Sequence, residues 1–270
     1  MTRRGWQHLC MPDSSGLDVR FDPPVARLTL SRPDKLNALN DDIRSAFAAA
    51  LSELEERVDI RVVVVSGEGR SFSAGADLRG TAYPKVEGDW VTRRHRTGTW
   101  QRVLEQLDRI PQATVARLHG HVIGGAALLA VACDIRVAAE TAVVRIPELA
   151  IGIPLTWAGI PLLVREVGLA LTRDWVMTCR AVEADELLRS GFVQRLVPAA
   201  DLDAAVDACV AELLAVPPGP LAMTRAMTAA IGRTTPAMVA GWSDPDHQQW
   251  SFTEDEYRDA ARAYINRRAP

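Results

Sequence analysis

One acidic residue in the middle of the chain has the surroundings of a proton-transfer group. Glu148 lies in the otherwise apolar stretch Arg145-Ile-Pro-Glu-Leu-Ala-Ile-Gly-Ile-Pro154. A carboxylate among apolar neighbours is costly to ionise, so its pKa rises toward the range that suits a general acid or base. Glu148 is therefore a candidate acid–base residue, and the alternative is a glutamate that caps the following turn.

Two loops of small residues could present backbone N–H groups to a ligand. The first is Ser71-Phe-Ser-Ala-Gly-Ala-Asp-Leu78, in which Ala74, Gly75 and Ala76 leave the main chain accessible. The second is His119-Gly-His-Val-Ile-Gly-Gly-Ala-Ala127, where a strand ends and a helix begins. The first N–H groups of a helix are unpaired and lie at its positive end, so Gly125 could stabilise an oxyanion. The alternative for the first loop is an ordinary strand-to-helix turn.

The histidines and cysteines do not form a metal-site pattern. His119 and His121 are close in sequence but have no third ligand nearby, so we assign them no catalytic role and predict no metal site. The four cysteines are far apart, which indicates neither a zinc site nor a disulfide framework and favours a reducing cytoplasm.

Composition limits the class of protein. A chain of 270 residues with 48% hydrophobic side chains can form one large domain, or one domain with a small appendage. The 31 basic and 34 acidic residues give a net charge of −3, which disfavours a general nucleic-acid binder and favours a small-molecule partner. The N-terminal residues lack the apolar core of a signal peptide, and no apolar stretch is long enough to span a bilayer. We predict a soluble cytoplasmic protein with no membrane insertion.

Periodicity predicts the elements that position these loops. Residues 25–30 alternate as a half-exposed strand, and 61–65 form a β-branched run typical of a buried strand. Between them, residues 41–58 have helical spacing, with Asn40 as a candidate N-cap. Together these three elements predict a βαβ unit. Further predicted elements are a helix at 126–132 and strands at 114–118, 135–138, 143–146 and 193–197.

The last quarter of the chain is predicted to be helical. Amphipathic segments at 204–214, 221–231 and 254–268 are separated by prolines. We divide the chain into a core at residues 1–200, which carries the site, and a C-terminal helical oligomerisation region at 201–270. The alternative is that these helices form a layer on their own chain.

Taken together, in this order and spacing, the three motifs resemble the enoyl-CoA hydratase/isomerase (crotonase) superfamily. The resemblance runs from about residue 25 to the end of the chain, and Ser31-Arg-Pro-Asp-Lys-Leu-Asn-Ala-Leu39 and Cys133-Asp-Ile135 also match. It implies an α/β fold, a crotonase-like spiral of ββα turns with a C-terminal helical trimerisation region. It also implies a homotrimer or a dimer of trimers. The implied substrate is an acyl-CoA thioester, with no separate cofactor because coenzyme A is part of the substrate.

The resemblance also implies roles for individual residues. The N–H groups of Ala76 and Gly125 would form an oxyanion hole, and Glu148 would be catalytic. Leu128 and Trp157 would line the acyl pocket, although Trp157 could equally be core packing. The implied CoA-contacting residues are Lys35, Leu36, Ala74, Ala76, Asp77 and Leu78.

One position departs from the family pattern. Family hydratases use two glutamates, and the first belongs three residues after the oxyanion glycine, where this chain has Leu128. An apolar side chain there removes a water ligand and a proton carrier, which disfavours efficient hydration, and single-glutamate relatives either shift a double bond or hydrate and then cleave their substrate. Hydratase or isomerase chemistry is predicted, and a lyase, a thioesterase or a catalytically weak acyl-CoA binder stay open. Trp90 and Trp100, in a predicted lid at 79–104, do not identify the acyl chain.

Overall fold

A six-stranded sheet forms the centre of the protein in the computed structural model, which describes residues 15–78, 88–233 and 241–266. Its strand order is β1-β2-β3-β4-β6-β9, and a second sheet has the order β5-β7-β8. In the six-stranded sheet only the β1–β2 pair is antiparallel. The strands are β1 (Leu17–Asp22), β2 (Val25–Leu30), β3 (Val62–Gly67), β4 (Ala113–Leu118), β5 (His121–Ile123), β6 (Ile135–Ala139), β7 (Val143–Arg145), β8 (Ala181–Glu183) and β9 (Arg195–Val197).

Helices connect and cover these strands. Short 3-10 helices occur at Pro33–Lys35, Glu148–Ile151, Ala199–Asp201 and Gly241–Ser243. The α-helices are α1 (Asp41–Glu56), α2 (Trp90–Thr97), α3 (Thr99–Leu107), α4 (Gly125–Val131), α5 (Gly159–Thr178), α6 (Ala184–Arg189), α7 (Leu202–Ala215), α8 (Pro218–Arg233), α9 (Asp244–Thr253) and α10 (Asp255–Asn266). Within α5 the backbone is not helical at Gly168.

The apolar run in β3 is explained by burial on both faces of the sheet. Val63 and Val65 join the main core, whereas Val62 and Val64 join a second cluster on the opposite face. The buried side of α1 packs in the main core, and the side chain of Asn40 accepts the N–H of Ile43 at 3.0 Å, as predicted for its N-cap. The predicted βαβ unit is confirmed by the parallel pairing of β2 with β3.

The C-terminal helices have different environments. Helix α7 covers the second face of the sheet through Leu202, Val206 and Val210, so it forms a layer on its own chain. Helix α8 instead exposes the α8 stripe, defined as Met223, Met227 and Ile231, which are 65 to 68% exposed. The oligomerisation role of residues 201–270 stays a prediction.

Several elements were not predicted from the sequence. Strands β1, β5 and β8 are short or lie at sheet edges, and helices α2 and α9 lack a long apolar stripe. Helix α3 was missed although its buried face is apolar at helical spacing, with Trp100, Val103, Leu104 and Leu107. Helix α8 begins at Pro218 rather than near 221, because proline is tolerated in the first turn of a helix. Strand β9 is shorter than the predicted 193–197 strand, since only Arg195–Val197 pairs with β6.

Some predicted features lie outside the described residues. They are the N-terminal stretch with Cys10, positions 79–87 of the predicted lid, and the end of the predicted last helix after 266. Within the described ranges, no helix is both long enough and apolar enough to cross a bilayer.

Candidate active site

A cavity of about 530 Å³ brings together six of the residues predicted to form the site. They come from four separate segments: the loop after β3, the start of α4, the 3-10 helix after β7 and the turn before α5. Helices α3 and α9 contribute further side chains to its lining. The six residues are Ala76, Leu78, Gly125, Leu128, Glu148 and Trp157.

Two backbone N–H groups at this cavity have no acceptor among the described residues. On either side of Ala76, Gly75 accepts the N–H of Leu39 at 2.8 Å and Asp77 donates to the carbonyl of Leu39 at 3.0 Å. These bonds fix the loop and leave the N–H of Ala76 without an acceptor among the described residues. Gly125 is the first residue of α4, so its N–H has no acceptor within the helix.

The two N–H groups belong to loops in direct contact. Gly75 has a φ of 80°, and a Cβ there would lie 2.3 Å from the carbonyl oxygen of Ile123 and 3.7 Å from the nitrogen of Gly125. Only glycine allows this approach, because other residues rarely adopt that φ and their Cβ would collide. The conformation of the first loop therefore places it against the N-terminus of α4.

A buried asparagine holds the first loop in place. The side-chain amide of Asn37, which is 0% exposed, donates to the carbonyls of Glu68 and Ser71 at 2.8 and 2.9 Å. The hydroxyl of Ser73 donates to the Asn37 carbonyl at 2.7 Å and accepts the N–H of Gly75 at 3.1 Å. Sequence reasoning gave Asn37 no role, although a polar residue between Leu36 and Ala38 was the available signal.

Glu148 has the electrostatic character of a proton-transfer group. Its Oε2 atom is buried and accepts no hydrogen bond from the described residues. Burial raises the pKa of Glu148 to about 7, since desolvation penalises the charged carboxylate. The carboxylate lies against Gly124, where a Cβ would come 2.6 Å from Oε1. Glu148 is thus held next to the residue that precedes Gly125.

The remaining wall around Gly125 is apolar and aromatic. A Cβ at Gly125 would lie 2.1 Å from Cζ3 of Trp157, so the indole packs directly on this glycine. The Trp157 ring stacks on Trp100 with 5.1 Å between centroids and 17° between planes. Leu128, one turn along the same face of α4, is 1% exposed. Among the described residues, the other carboxylate at the cavity is Asp41, which is 67% exposed and pairs with Arg44 at 3.2 Å.

Only some of the residues expected to contact coenzyme A line the cavity. Ala76 and Leu78 line the cavity, whereas Lys35, Leu36, Ala74 and Asp77 do not. Ala74 donates to the carbonyl of Leu36 at 2.8 Å, which joins their two loops. The side chain of Asp77 is 8% exposed and pairs with Arg32 at 3.0 Å.

The structure brings further residues to the cavity. Trp100, which the sequence placed only in a lid, lines it together with Gln248 and Phe252, and Oε1 of Gln248 is buried without a hydrogen-bond partner among the described residues. Gln248 and Phe252 come from α9, a helix that the sequence pattern did not indicate, so no local signal was available. His119 does not line the cavity; its Nε2 is 2.9 Å from the carbonyl oxygen of Gly69. In the described part of the chain, no three His, Cys, Asp or Glu residues cluster as a metal site would require.

Comparison with known proteins gives consistent matches. The family model described as enoyl-CoA hydratase/isomerase matches residues 20–270. A Mycobacterium tuberculosis protein named "Probable enoyl-CoA hydratase echA8" is 34% identical over 68% of this chain and 69% of its own length. The short-chain-enoyl-CoA hydratase of Clostridium acetobutylicum is 31% identical over 66% of this chain and 67% of its own length.

Solved structures share the fold. The crystal structure of an enoyl-CoA hydratase from Mycobacterium avium subsp. paratuberculosis matches with a TM-score of 0.84 and 26% identity, over 94% of this chain and 97% of that one. An enoyl-CoA hydratase/isomerase from Xanthobacter autotrophicus matches with a TM-score of 0.81 and 26% identity, over 94% and 98% of the two chains. The mixed α/β architecture with a C-terminal helical region is the fold of these proteins.

Proposed function

The chain belongs to the enoyl-CoA hydratase/isomerase (crotonase) family, and from this premise we propose that it shifts a double bond in an enoyl-CoA, with Glu148 as the single proton carrier. One observation carries the proposal: a buried carboxylate oxygen shares a cavity with two backbone N–H groups, and none of the three has a hydrogen-bond partner among the described residues. We also propose that no cofactor is needed beyond the coenzyme A of the substrate.

The two N–H groups supply the electrostatic part of the reaction. The thioester oxygen would accept hydrogen bonds from Ala76 and Gly125, which would stabilise the negative charge that develops on that oxygen. One such donor typically lowers the barrier by about 3–4 kcal/mol. The C–H bond next to the conjugated system then becomes acidic enough for a carboxylate base.

Glu148 supplies the proton transfer. As a carboxylate it would remove a proton from C2 or C4, and the electron pair of that C–H bond would enter a dienolate. As the resulting carboxylic acid it would return the proton to the other end, which moves the double bond by one carbon. A pKa of about 7 suits both half-reactions, because neither the acid nor the base form is strongly favoured at neutral pH.

The same surroundings disfavour hydration. Addition of water needs a water molecule that is held and activated, and the family pattern assigns two carboxylates to that task. In this cavity Leu128 takes the place of the first, and the indole of Trp157 packs beside it on Gly125. An apolar and aromatic wall offers water no hydrogen-bond partner, so isomerisation is the better supported reaction.

The test compares wild type with Glu148→Gln on 2-enoyl-CoA and 3-enoyl-CoA substrates in deuterated water. We expect wild type to interconvert the two isomers, and the variant to lose turnover by about 100-fold or more because an amide cannot accept the proton. Calorimetry should show nearly unchanged acyl-CoA binding. Glu140→Gln is the matched control, since Glu140 is exposed and away from the cavity.

Each product identifies a different reaction. Equal turnover by wild type and Glu148→Gln would rule out Glu148 as the proton carrier. A 3-hydroxyacyl-CoA product would establish hydration, free coenzyme A would establish thioester hydrolysis, and shortening of the acyl chain would establish lyase chemistry. Tight binding without turnover of either substrate would establish a non-catalytic acyl-CoA binder.

A second substitution tests the role assigned to the apolar wall. Leu128→Glu would restore the two-carboxylate arrangement of the family hydratases. If the wall excludes water, this variant should hydrate a short 2-enoyl-CoA faster than wild type, and the gain should be larger when Trp157→Ala is also present. An unchanged hydration rate in a folded double variant would refute this role.

A further inference from the structure

The indole that packs on Gly125 is carried by a backbone in an unfavourable conformation. Trp157 and the next residue, Ala158, have φ values of 61° and 57°, in the left-handed region. Residues with a side chain rarely adopt this region, and two in succession persist only where the surrounding structure holds them. A contact outside this turn is therefore required to keep Trp157 in its position.

That contact comes from the C-terminal part of the chain. The Oδ2 atom of Asp244 accepts a hydrogen bond from the N–H of Ala158 at 2.7 Å across 86 residues of sequence. Asp244 is only 7% exposed, so water does not compete for this bond. Gly241 packs on the same turn, because a Cβ there would lie 2.9 Å from Cβ of Ala158.

The backbone conformation at residues 157 and 158 determines where the indole of Trp157 lies. Trp157 can contact Gly125 and stack on Trp100 only while its backbone keeps this direction. If the turn relaxed to an ordinary conformation, the indole would leave the face of Gly125 and the cavity would enlarge there. Asp244, the first residue of helix α9, would then determine the position of the Trp157 indole, although that indole belongs to the turn before α5.

We propose that Asp244 is a positioning residue: its hydrogen bond to Ala158 fixes the indole of Trp157 and thereby limits the length of the acyl chain that the cavity accepts. The identity of the ligand rests on the proposed function, whereas the positioning of Trp157 does not. The competing explanation is that Asp244 only stabilises the N-terminus of α9, as an acidic residue in a first turn does.

Asp246 separates these two explanations. It lies in the same first turn of α9 and is also acidic, but its carboxylate pairs with Arg94 at 2.7 Å, whereas the N–H of Ala158 donates to Asp244. Asp246→Ala therefore removes a comparable charge from the helix end and leaves the Trp157 turn intact. Asp244→Asn retains a carbonyl oxygen that can accept the Ala158 N–H, so it should behave as wild type.

The first measurement needs no ligand. Near-ultraviolet circular dichroism reports the fixed environments of tryptophans, and the Trp157→Phe variant defines the contribution of the stacked pair. Asp244→Ala should lose that contribution, whereas Asp244→Asn and Asp246→Ala should retain it. In the Trp157→Phe background, Asp244→Ala should cause no further change. If Asp244→Ala does not fold, Asp244→Glu, with its carboxylate displaced by one methylene, should show the same loss.

The second measurement is binding of saturated acetyl-CoA and octanoyl-CoA by calorimetry. Asp244→Ala should shift the ratio of affinities toward octanoyl-CoA by about tenfold, the scale of selectivity that a change in an apolar pocket produces. Trp157→Ala should cause a similar shift, and the double variant should shift no further than either single one, because both act through the same indole. Asp246→Ala should leave the ratio unchanged.

The results distinguish a failure of the positioning role of Asp244 from a failure of the proposed function. An unchanged spectrum and an unchanged ratio in Asp244→Ala would overturn the positioning role, as would additive shifts in the double variant or an equal effect of Asp246→Ala. Failure of wild type to bind any acyl-CoA would instead overturn the proposed function, and the spectra would still decide whether Asp244 holds Trp157.

Discussion

Replacing Glu148 by glutamine should make the protein more stable as well as inactive. Burial raises the pKa of this carboxyl from an ordinary 4.5 to about 7, and no described residue donates a hydrogen bond to its Oε2 atom. The folded state therefore carries a carboxylate that is costly to ionise. Glutamine has nearly the same shape and no charge, so it removes that cost.

The sign and the size of the effect follow from proton linkage. In the unfolded chain Glu148 loses its proton near pH 4.5, whereas in the folded chain it keeps the proton up to about pH 7. Between these values the folded state binds more protons, so the free energy of unfolding falls as pH rises and levels off above about pH 7. About 2.5 pH units at about 1.4 kcal/mol each give a total of about 3.5 kcal/mol, of which about 2.5 kcal/mol falls between about pH 5 and pH 8.

Urea unfolding at about pH 5 and about pH 8 measures this difference. The other titrating groups are common to both proteins, so the stability of Glu148→Gln relative to wild type should increase by about 2.5 kcal/mol from the lower to the higher pH. The exposed control Glu140→Gln should show no such increase. The same relative stability at both pH values would show that Glu148 titrates as an ordinary solvated carboxyl, and the argument for its raised pKa would fail.

The remaining predictions concern activity, the first loop and assembly. The wild-type kcat/KM should rise with pH to a plateau, with a midpoint near 7, because Glu148 acts first as a base; a midpoint near 4.5 would contradict its burial. Asn37→Ala should destabilise the protein by about 3 kcal/mol in urea unfolding because buried carbonyls lose their donor, against about 1 kcal/mol for loss of the Asn40 cap. Light scattering should give a multiple of 29.4 kDa, lowered by Met227→Glu in the α8 stripe, and a wild-type monomer would contradict assembly through this surface.

Patterns confined to a few residues were sufficient to predict part of the fold. The β-branched run of β3, the helical spacing of α1 and the cap at Asn40 are all confirmed. These elements follow from local propensity and burial, which the order of apolar and polar residues records directly. Edge strands such as β1 and β8 were not predicted, because half-exposed or very short strands leave a weak pattern.

The site was predictable wherever the chemistry depends on residue type. Glycine at 75 is required by close approach of the Ile123 backbone, and glycine at 125 by the packed indole of Trp157. A lone carboxylate among apolar residues indicates a raised pKa at Glu148. The order of these motifs indicated the resemblance to the family. The family pattern in turn showed that a glutamate is expected where this chain has Leu128. The structure brings Ala76, Gly125 and Glu148 to one cavity, and their catalytic roles remain the proposal tested above.

The sequence by itself determined which residues could perform the chemistry, because that depends on residue type and on near neighbours in the chain. Glycine and other small residues leave backbone N–H groups accessible, and a carboxylate among apolar neighbours has a raised pKa. Only the tertiary structure decided what surrounds them. The stack of Trp100 on Trp157 and the bond from Ala158 to Asp244 join residues 57 and 86 positions apart. Contacts at such separations depend on how helices α3 and α9 pack around the cavity, and no local periodicity encodes that arrangement.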